Sequence, residues 1–285
     1  MTALIKANNL TKRYGDQLAL DNVSFDVEEG RIVGLIGPNG AGKTSALKAI
    51  LGLTDYDGEL EVLGMNPKRN RARIMRDVCF IADVAVLPRW LKVKDAVDFV
   101  NRIHPNFSVE KCRDFLSRTN IKESSRVGTL SKGMIVQLHL ALVMAIDARL
   151  LVLDEPTLGL DILYRKDFYS SLLSEYFDDS KTILVTTHQV EEIEKILTDL
   201  LFIKNGRIVL DKSMETVSQD YTEVLVSREM ADDARGMNPI HEREVFGKQL
   251  FLFEGVDRDR LQEFGELHTP SVADLFVAKM RGVQA

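Results

Sequence analysis

Cysteine is scarce in this chain, with two residues among 285, and tryptophan occurs once. Cys79 and Cys112 stand far apart in dissimilar surroundings. They form neither a disulfide framework nor a metal-ligand spacing. Both read as small buried apolar residues in a reducing compartment. No apolar run reaches the length of a membrane span. The richest, from Leu138 to Ile146, is short and holds His139. The opening residues MTALIKANNL lack the apolar core of a secretory signal. An excess of basic charge is missing as well: 37 Lys and Arg face 43 Asp and Glu, a formal charge of −6. That argues against a net-basic nucleic-acid binder. There is no internal repeat and no low-complexity segment. These absences predict a cytosolic protein, or one held at a membrane only by a partner.

What is present is a globular composition, 45% hydrophobic and 28% charged. The length suits one full core plus an accessory piece. Charge marks the division: Thr216 to Ala285 carries 13 acidic against 8 basic residues, so most of the negative excess lies in the last quarter. Residues 4–10 and 23–27 alternate as strands, and residues 31–37 form an apolar strand followed by a glycine-rich turn and a helix over 45–53. Three- and four-residue apolar spacing predicts helices over 93–103, 109–119, 131–146, 168–177 and 190–197. Residues 149–153 and 182–186 read as buried parallel strands. Asn205-Gly206 between 200–204 and 207–210 signals a hairpin. After Lys212 the pattern weakens, with strands over 222–226 and 249–253 and a closing helix over 271–280.

Three motifs carry chemistry. Gly37-Pro38-Asn39-Gly40-Ala41-Gly42-Lys43-Thr44, followed by Ser45, fits G-x-x-x-x-G-K-[ST] between a strand and a helix. Its glycines let backbone N–H groups converge on phosphate oxygens, and the helix behind adds its positive end. Lys43 is expected to reach the β- and γ-phosphates, and the Thr44 hydroxyl to bind Mg²⁺. A second apolar strand ends in Asp154 and Glu155. Asp154 suits Mg²⁺, and Glu155 suits a general base acting on water. Third, Ser131 and Gly133 stand at a helix start, a second anion-binding end.

In this order the pieces resemble the ATP-binding-cassette ATPases: Gly37–Thr44, then Leu130–Met134 as the signature, Leu150–Glu155, Leu158-Gly159-Leu160-Asp161 and His188. The resemblance covers residues 4–212 almost continuously. It implies an α/β P-loop NTPase fold of ABC type, with an antiparallel β subdomain and an inserted helical subdomain at about 85–150. The cassette would span 1–212, and a small α+β extension 213–285. It implies that Tyr14 stacks on adenine, that His188 contacts the γ-phosphate region, and that Asp161 shapes an interface. It further implies a head-to-tail sandwich of two such domains, as homodimer or heterodimer, in which Ser131 and Gly133 meet the nucleotide held by the other copy. ATP and Mg²⁺ are the implied ligands.

Two departures from the family pattern stand out. Asp83 occupies the place of a usual glutamine and is expected to take over its metal and coupling role. Lys132 and Met134 replace a glycine and a glutamine in the signature. One cassette without a membrane span implies a separate integral-membrane permease, docked near Asp83–Trp90 with Trp90 and Leu87-Pro88 as apolar anchors. The chain would then lie peripherally on the inner face of the cell membrane. The extension resembles those of cassettes serving export-type permeases. The alternative is a soluble cassette ATPase acting on ribosomes or DNA. The acidic balance, the single cassette and the lack of a coiled-coil insertion argue against it and against a nucleic-acid partner.

Overall fold

Period-two burial folds the first segments into a hairpin. The computed structural model describes residues 3–81, 87–158 and 162–281. In it β1 (Ala3–Tyr14) and β2 (Gln17–Glu28) pair antiparallel, turning at Gly15 with φ of 56°. The chain continues into β3 (Ile32–Ile36), whose five residues are all buried, and through the glycine loop into α1 (Lys43–Ile50). Gly52, at φ 63°, follows this helix in the left-handed conformation that commonly ends helices. β4 (Asp57–Val62) returns to β1, completing a three-stranded sheet ordered β2-β1-β4. α2 (Pro67–Ile74) starts where the Asn66 side chain accepts the Lys68 and Arg69 amides, and β5 (Val78–Ile81) follows.

Next come α3 (Val93–Ile103), α4 (Val109–Ser117) and α5 (Lys132–Met144). Ser108 and Ser131 cap the latter two, each accepting a first-turn amide. β6 (Leu150–Asp154) precedes α6 (Ile162–Ser171), which runs on into a π turn at Leu172–Tyr176. β7 (Thr182–Thr187) leads to α7 (Val190–Ile193) and a 3₁₀ turn, Glu194–Ile196. β8 (Asp199–Lys204) and β9 (Arg207–Ser213) form a hairpin across Asn205 and Gly206, with φ of 49° and 76°, as a two-residue turn of this type requires.

Six strands form the central sheet in the order β5-β6-β7-β3-β8-β9, parallel except for β9. Alternate residues divide between its faces. Val33, Leu35, Val152 and Leu184 pack with α1 and the three-stranded sheet. Ile32, Ile36, Leu151, Leu153, Ile183 and Val185 pack with α3, α4, α5, α6 and α7. Each such side chain contributes roughly 1.5–3 kcal/mol by leaving water. Chain order turns back at β3, with β7 on one side and β8 on the other. That point, at the carboxyl ends of the strands, is where open α/β sheets hold ligands.

The remaining chain is α8 (Met214–Asp220), β10 (Tyr221–Val226), α9 (Ala231–Arg235), β11 (His241–Val245), β12 (Lys248–Glu254), α10 (Arg258–Leu261), β13 (Gly265–His268) and α11 (Val272–Arg281). Its strands form an antiparallel sheet ordered β11-β12-β10-β13. Val224, Val226, Phe251 and Phe253 build a small core with α9 and α10. Tyr221 and Leu252, with Val272, Leu275 and Ala278 of α11, join the main core instead. Phe276 meets Phe202 edge-on with ring centres 5.3 Å apart, and Lys204 Nζ donates to the Met280 carbonyl at 2.5 Å.

Two helices differ from the sequence reading. α6 begins at Ile162, six residues earlier than the 168–177 helix, because its exposed Ile162 and Leu163 carry no core-facing period. α7 is four residues long, and the remainder of the 190–197 helix is a 3₁₀ turn. Cys79 and Cys112 are free and buried, and burial pushes both thiols up to about 12. Among the described residues no helix is long and apolar enough to cross a membrane.

Candidate functional site

The glycine loop is shaped by close backbone approach. A Cβ on Gly37 would lie 2.4 Å from the Ile203 carbonyl oxygen, and one on Gly42 would lie 2.5 Å from that of Ala19, at a φ of 114°. Only glycine fits either place. Gly42 also stands at the N-cap of α1 without a side-chain cap, so first-turn amides remain for a ligand. Lys43 is 7% exposed and folds over its own loop, its Nζ donating to Gly37 O at 2.6 Å and to Pro38 O at 3.4 Å. A buried ammonium is thus held by carbonyl dipoles, poised to exchange them for an anion.

The carboxylates are set by strand register. Asp154 on β6 lies opposite Thr186 on β7. The fully buried Thr186 hydroxyl donates to Asp154 Oδ1 at 2.6 Å and accepts the Glu155 amide at 3.2 Å. Thr44 Oγ1 donates to the other Asp154 oxygen at 3.2 Å. Glu155 leaves the strand with φ of 48°, an uncommon conformation for a residue with a Cβ. Its carboxylate lies 3.7 Å from Lys43 Nζ and 2.8 Å from His188 Nδ1, and the His188 amide donates to it at 3.3 Å. One carboxylate therefore bridges the phosphate-loop lysine and a histidine from the end of the neighbouring strand.

Lys43, Thr44, Asp154, Glu155 and His188 line a cavity of about 570 Å³ that also includes Tyr14, Gln17, Ala19, Pro38, Asn39, Gly40, Ala41, Gly42, Ser45 and Leu158. Tyr14 is 45% exposed at its rim, with Lys12 Nζ 4.8 Å from its ring centre. Thus Tyr14, residues 37–45 except the strand-side Gly37, Asp154, Glu155 and His188 are brought together from distant parts of the sequence. Gly37 takes part through its carbonyl. Ser131 and Gly133 lie elsewhere, at the start of α5, where the Ser131 hydroxyl accepts the Met134 amide. Asp83 and Asp161 lie outside the described residues. Trp90 is 73% exposed and does not pack inside the helices. Sequence reasoning missed Thr186 as the link between the two acids. The detectable signal was a pair of threonines closing a strand with an apolar centre, since a buried hydroxyl needs a partner.

A glycine loop joining a parallel strand to a helix, with acids and a histidine on the adjacent strand ends, defines a P-loop NTPase. Known proteins agree. A family model described as ABC transporter matches residues 20–158. The Nod factor export ATP-binding protein I of Burkholderia orbicola is 36% identical over 221 residues, covering 73% of this chain and 70% of that protein. Its namesake in Cupriavidus metallidurans is 34% identical over 282 residues, covering 89% and 87%, so this similarity extends through most of the C-terminal region. A solved structure described as the ATP-binding subunit of an ABC transporter superposes with a TM-score of 0.68 at 24% identity, covering 76% of this chain and 92% of that one. The chain belongs to the ABC transporter family, as an ATP-binding and ATP-hydrolysing subunit.

Proposed function

We propose that this chain powers an export-type membrane transporter by hydrolysing ATP in the cavity at the carboxyl ends of β3, β6 and β7. The observation that carries the site assignment is Glu155, held between Lys43 at 3.7 Å and His188 at 2.8 Å. Lys43 exchanges its loop carbonyls for β- and γ-phosphate oxygens, and the loop amides take the remaining charge. Tyr14 offers its ring to the base. Glu155 accepts a proton from water while the water oxygen bonds to the γ-phosphorus, the bond to the β–γ bridging oxygen breaks, and ADP departs. His188 holds the Glu155 carboxylate and faces the same space.

Thr44 and Asp154 present only oxygen donors, the hard ligand set that suits Mg²⁺. Among the described residues no group of three His, Cys, Asp or Glu stands close enough to hold a metal ion. When bound, Mg²⁺ supplies charge neutralisation and polarises phosphoryl oxygens.

Ser131 and Gly133, away from this cavity, serve the nucleotide of a second cassette in a head-to-tail dimer, with Asp161 at the seam. ATP closes that dimer and hydrolysis opens it. Residues 1–212 form the cassette, with the helical part at about 85–150, and 213–285 an accessory domain. An integral-membrane permease docks near Asp83–Trp90, placing the chain on the inner membrane face, and Asp83 takes the coupling and metal role of the usual glutamine. Export is supported by the relatives, which are Nod factor export ATP-binding proteins. The test is Glu155→Gln. It is expected to keep ATP affinity within about twofold and to lose steady-state turnover by about 100-fold or more. Undiminished hydrolysis would remove Glu155 from its assigned role.

A further inference from the structure

His188 stands in a segment with little regular structure of its own. α7, just behind it, is a single turn of four residues, far below the length at which a helix is stable alone. Gln189, its N-cap, has no side-chain cap bond. Val190 and Ile193 are buried, which fixes the depth of the turn, and the Thr187 hydroxyl accepts the Gln189 amide at 2.9 Å.

The polar clamp comes from α6. Arg165, in its first turn, donates through Nη1 to Gln189 Oε1 at 2.6 Å and to Glu192 Oε1 at 2.5 Å. The other oxygen of Glu192 accepts from the Thr157 hydroxyl at 3.4 Å. Thr157 is 2% exposed and lies two residues beyond Glu155. The contacts close a ring: Glu155 leads along the chain to Thr157, then across to Glu192, Arg165 and Gln189, along the chain to His188, and back to Glu155 through the 2.8 Å bond. The Arg165 and Glu192 side chains are 21% and 22% exposed, so their charges are partly shielded from water.

We propose that Arg165 is a positioning residue for hydrolysis, holding the turn after β7 so that the His188 ring stays on Glu155. The inference rests on the roles given above to Glu155 and His188. It adds a residue that touches neither and acts from a third element.

The test uses the full-length chain. Turnover and ATP affinity are measured for Arg165→Ala and Arg165→Lys, and the His188 ring is followed by NMR in ¹³C-histidine-labelled protein, its signal assigned by its absence in His188→Ala. Arg165→Ala is expected to lower kcat about 10-fold or more, as loss of alignment does, to leave ATP affinity within twofold, and to move the His188 signal. Lysine keeps the charge but not the planar fork, so Arg165→Lys should fall between wild type and alanine in both readouts. A His188 signal unmoved in Arg165→Ala overturns the proposal, as does loss of ATP affinity with kcat unchanged. Should the alanine variant fail to fold, Arg165→Lys and Gln189→Ala are judged by the same signal, and an unmoved signal in both is equally fatal. Wild-type turnover in Glu155→Gln and His188→Ala would instead overturn the underlying roles. Loss of turnover there, with normal kcat and an unmoved His188 signal in Arg165→Ala, sinks this inference alone.

Discussion

Replacing Thr186 with valine removes one hydroxyl and little else. Both side chains are β-branched and suit a buried strand, so β7 keeps its conformation and its volume. The hydroxyl, however, bonds twice: it donates to Asp154 Oδ1 at 2.6 Å and accepts the Glu155 amide at 3.2 Å. The two losses are unequal. The Glu155 amide keeps the Thr186 carbonyl at 3.1 Å, so it is not orphaned. Asp154, 6% exposed, loses a charge-assisted bond, and a methyl group then faces its oxygen. Hydrogen bonds to charged groups contribute about 1.5–3 kcal/mol, so Thr186→Val should cost roughly 2–3 kcal/mol. At about 2–4 °C per kcal/mol for a chain of this order of size, Tm should fall by roughly 4–12 °C. Thermal melts of wild type, Thr186→Val and Thr186→Ser give the answer, with serine expected to recover most of the loss. Because Asp154 and Glu155 are both anchored here, kcat should fall with stability. A Tm within about 1 °C of wild type, together with unchanged turnover, would mean that the register of β6 and β7 does not set the acids.

Other outcomes follow from single groups. Glu223 is 8% exposed on β10, and burial first, then Asp274, push its carboxyl up to about 7 from 4.5, against Arg243 and His268. The folded chain therefore holds this proton more tightly than the unfolded one, so the contribution of this group to stability is fully present below 4.5 and is lost as pH rises to about 7. Glu223→Gln should stabilise by about 1–2 kcal/mol at pH 8 and by almost nothing at pH 5, read from melts at both; parallel profiles would refute it. Tyr14→Ala should weaken ATP binding about 3- to 10-fold, the worth of one ring contact, with kcat preserved and inorganic triphosphate binding unchanged. Cys79 and Cys112, buried with thiols near 12, should resist alkylation in the native chain and react once it is unfolded in urea.

The phosphate loop and the acids at the end of β6 were legible because close backbone approach and charge at a strand end demand particular residue types. α3 was legible at both ends, since Val93, Ala96, Val97 and Val100 repeat at helical spacing. α2 was not, because only Pro67 and Ile74 of its residues are buried and its basic face carries no period. β11 escaped for the same reason, with exposed Glu242, Arg243 and Glu244 in place of an alternating pattern. In the site, Lys43, Asp154 and Glu155 could be read from motif and spacing. Thr186 showed only as a hydroxyl in need of a partner, and Thr157 and Arg165 not at all, because the site partners of all three lie 24 to 35 residues away and meet them only through strand register and the path of α6.

The seating of α11 has a consequence for how the protein is made. Val272, Leu275 and Ala278 complete the core that contains Leu200 and Phe202, yet they are synthesised after every other described element. At about 5–20 residues per second, the stretch that follows β9 through α11, roughly 70 residues, takes about 4–14 seconds to emerge. During that interval the nascent cassette carries an uncovered apolar face around Phe202. A ribosome that stalls or stops within the tail therefore releases a product that binds chaperones or aggregates, even though every residue of the ATP cavity has already been made.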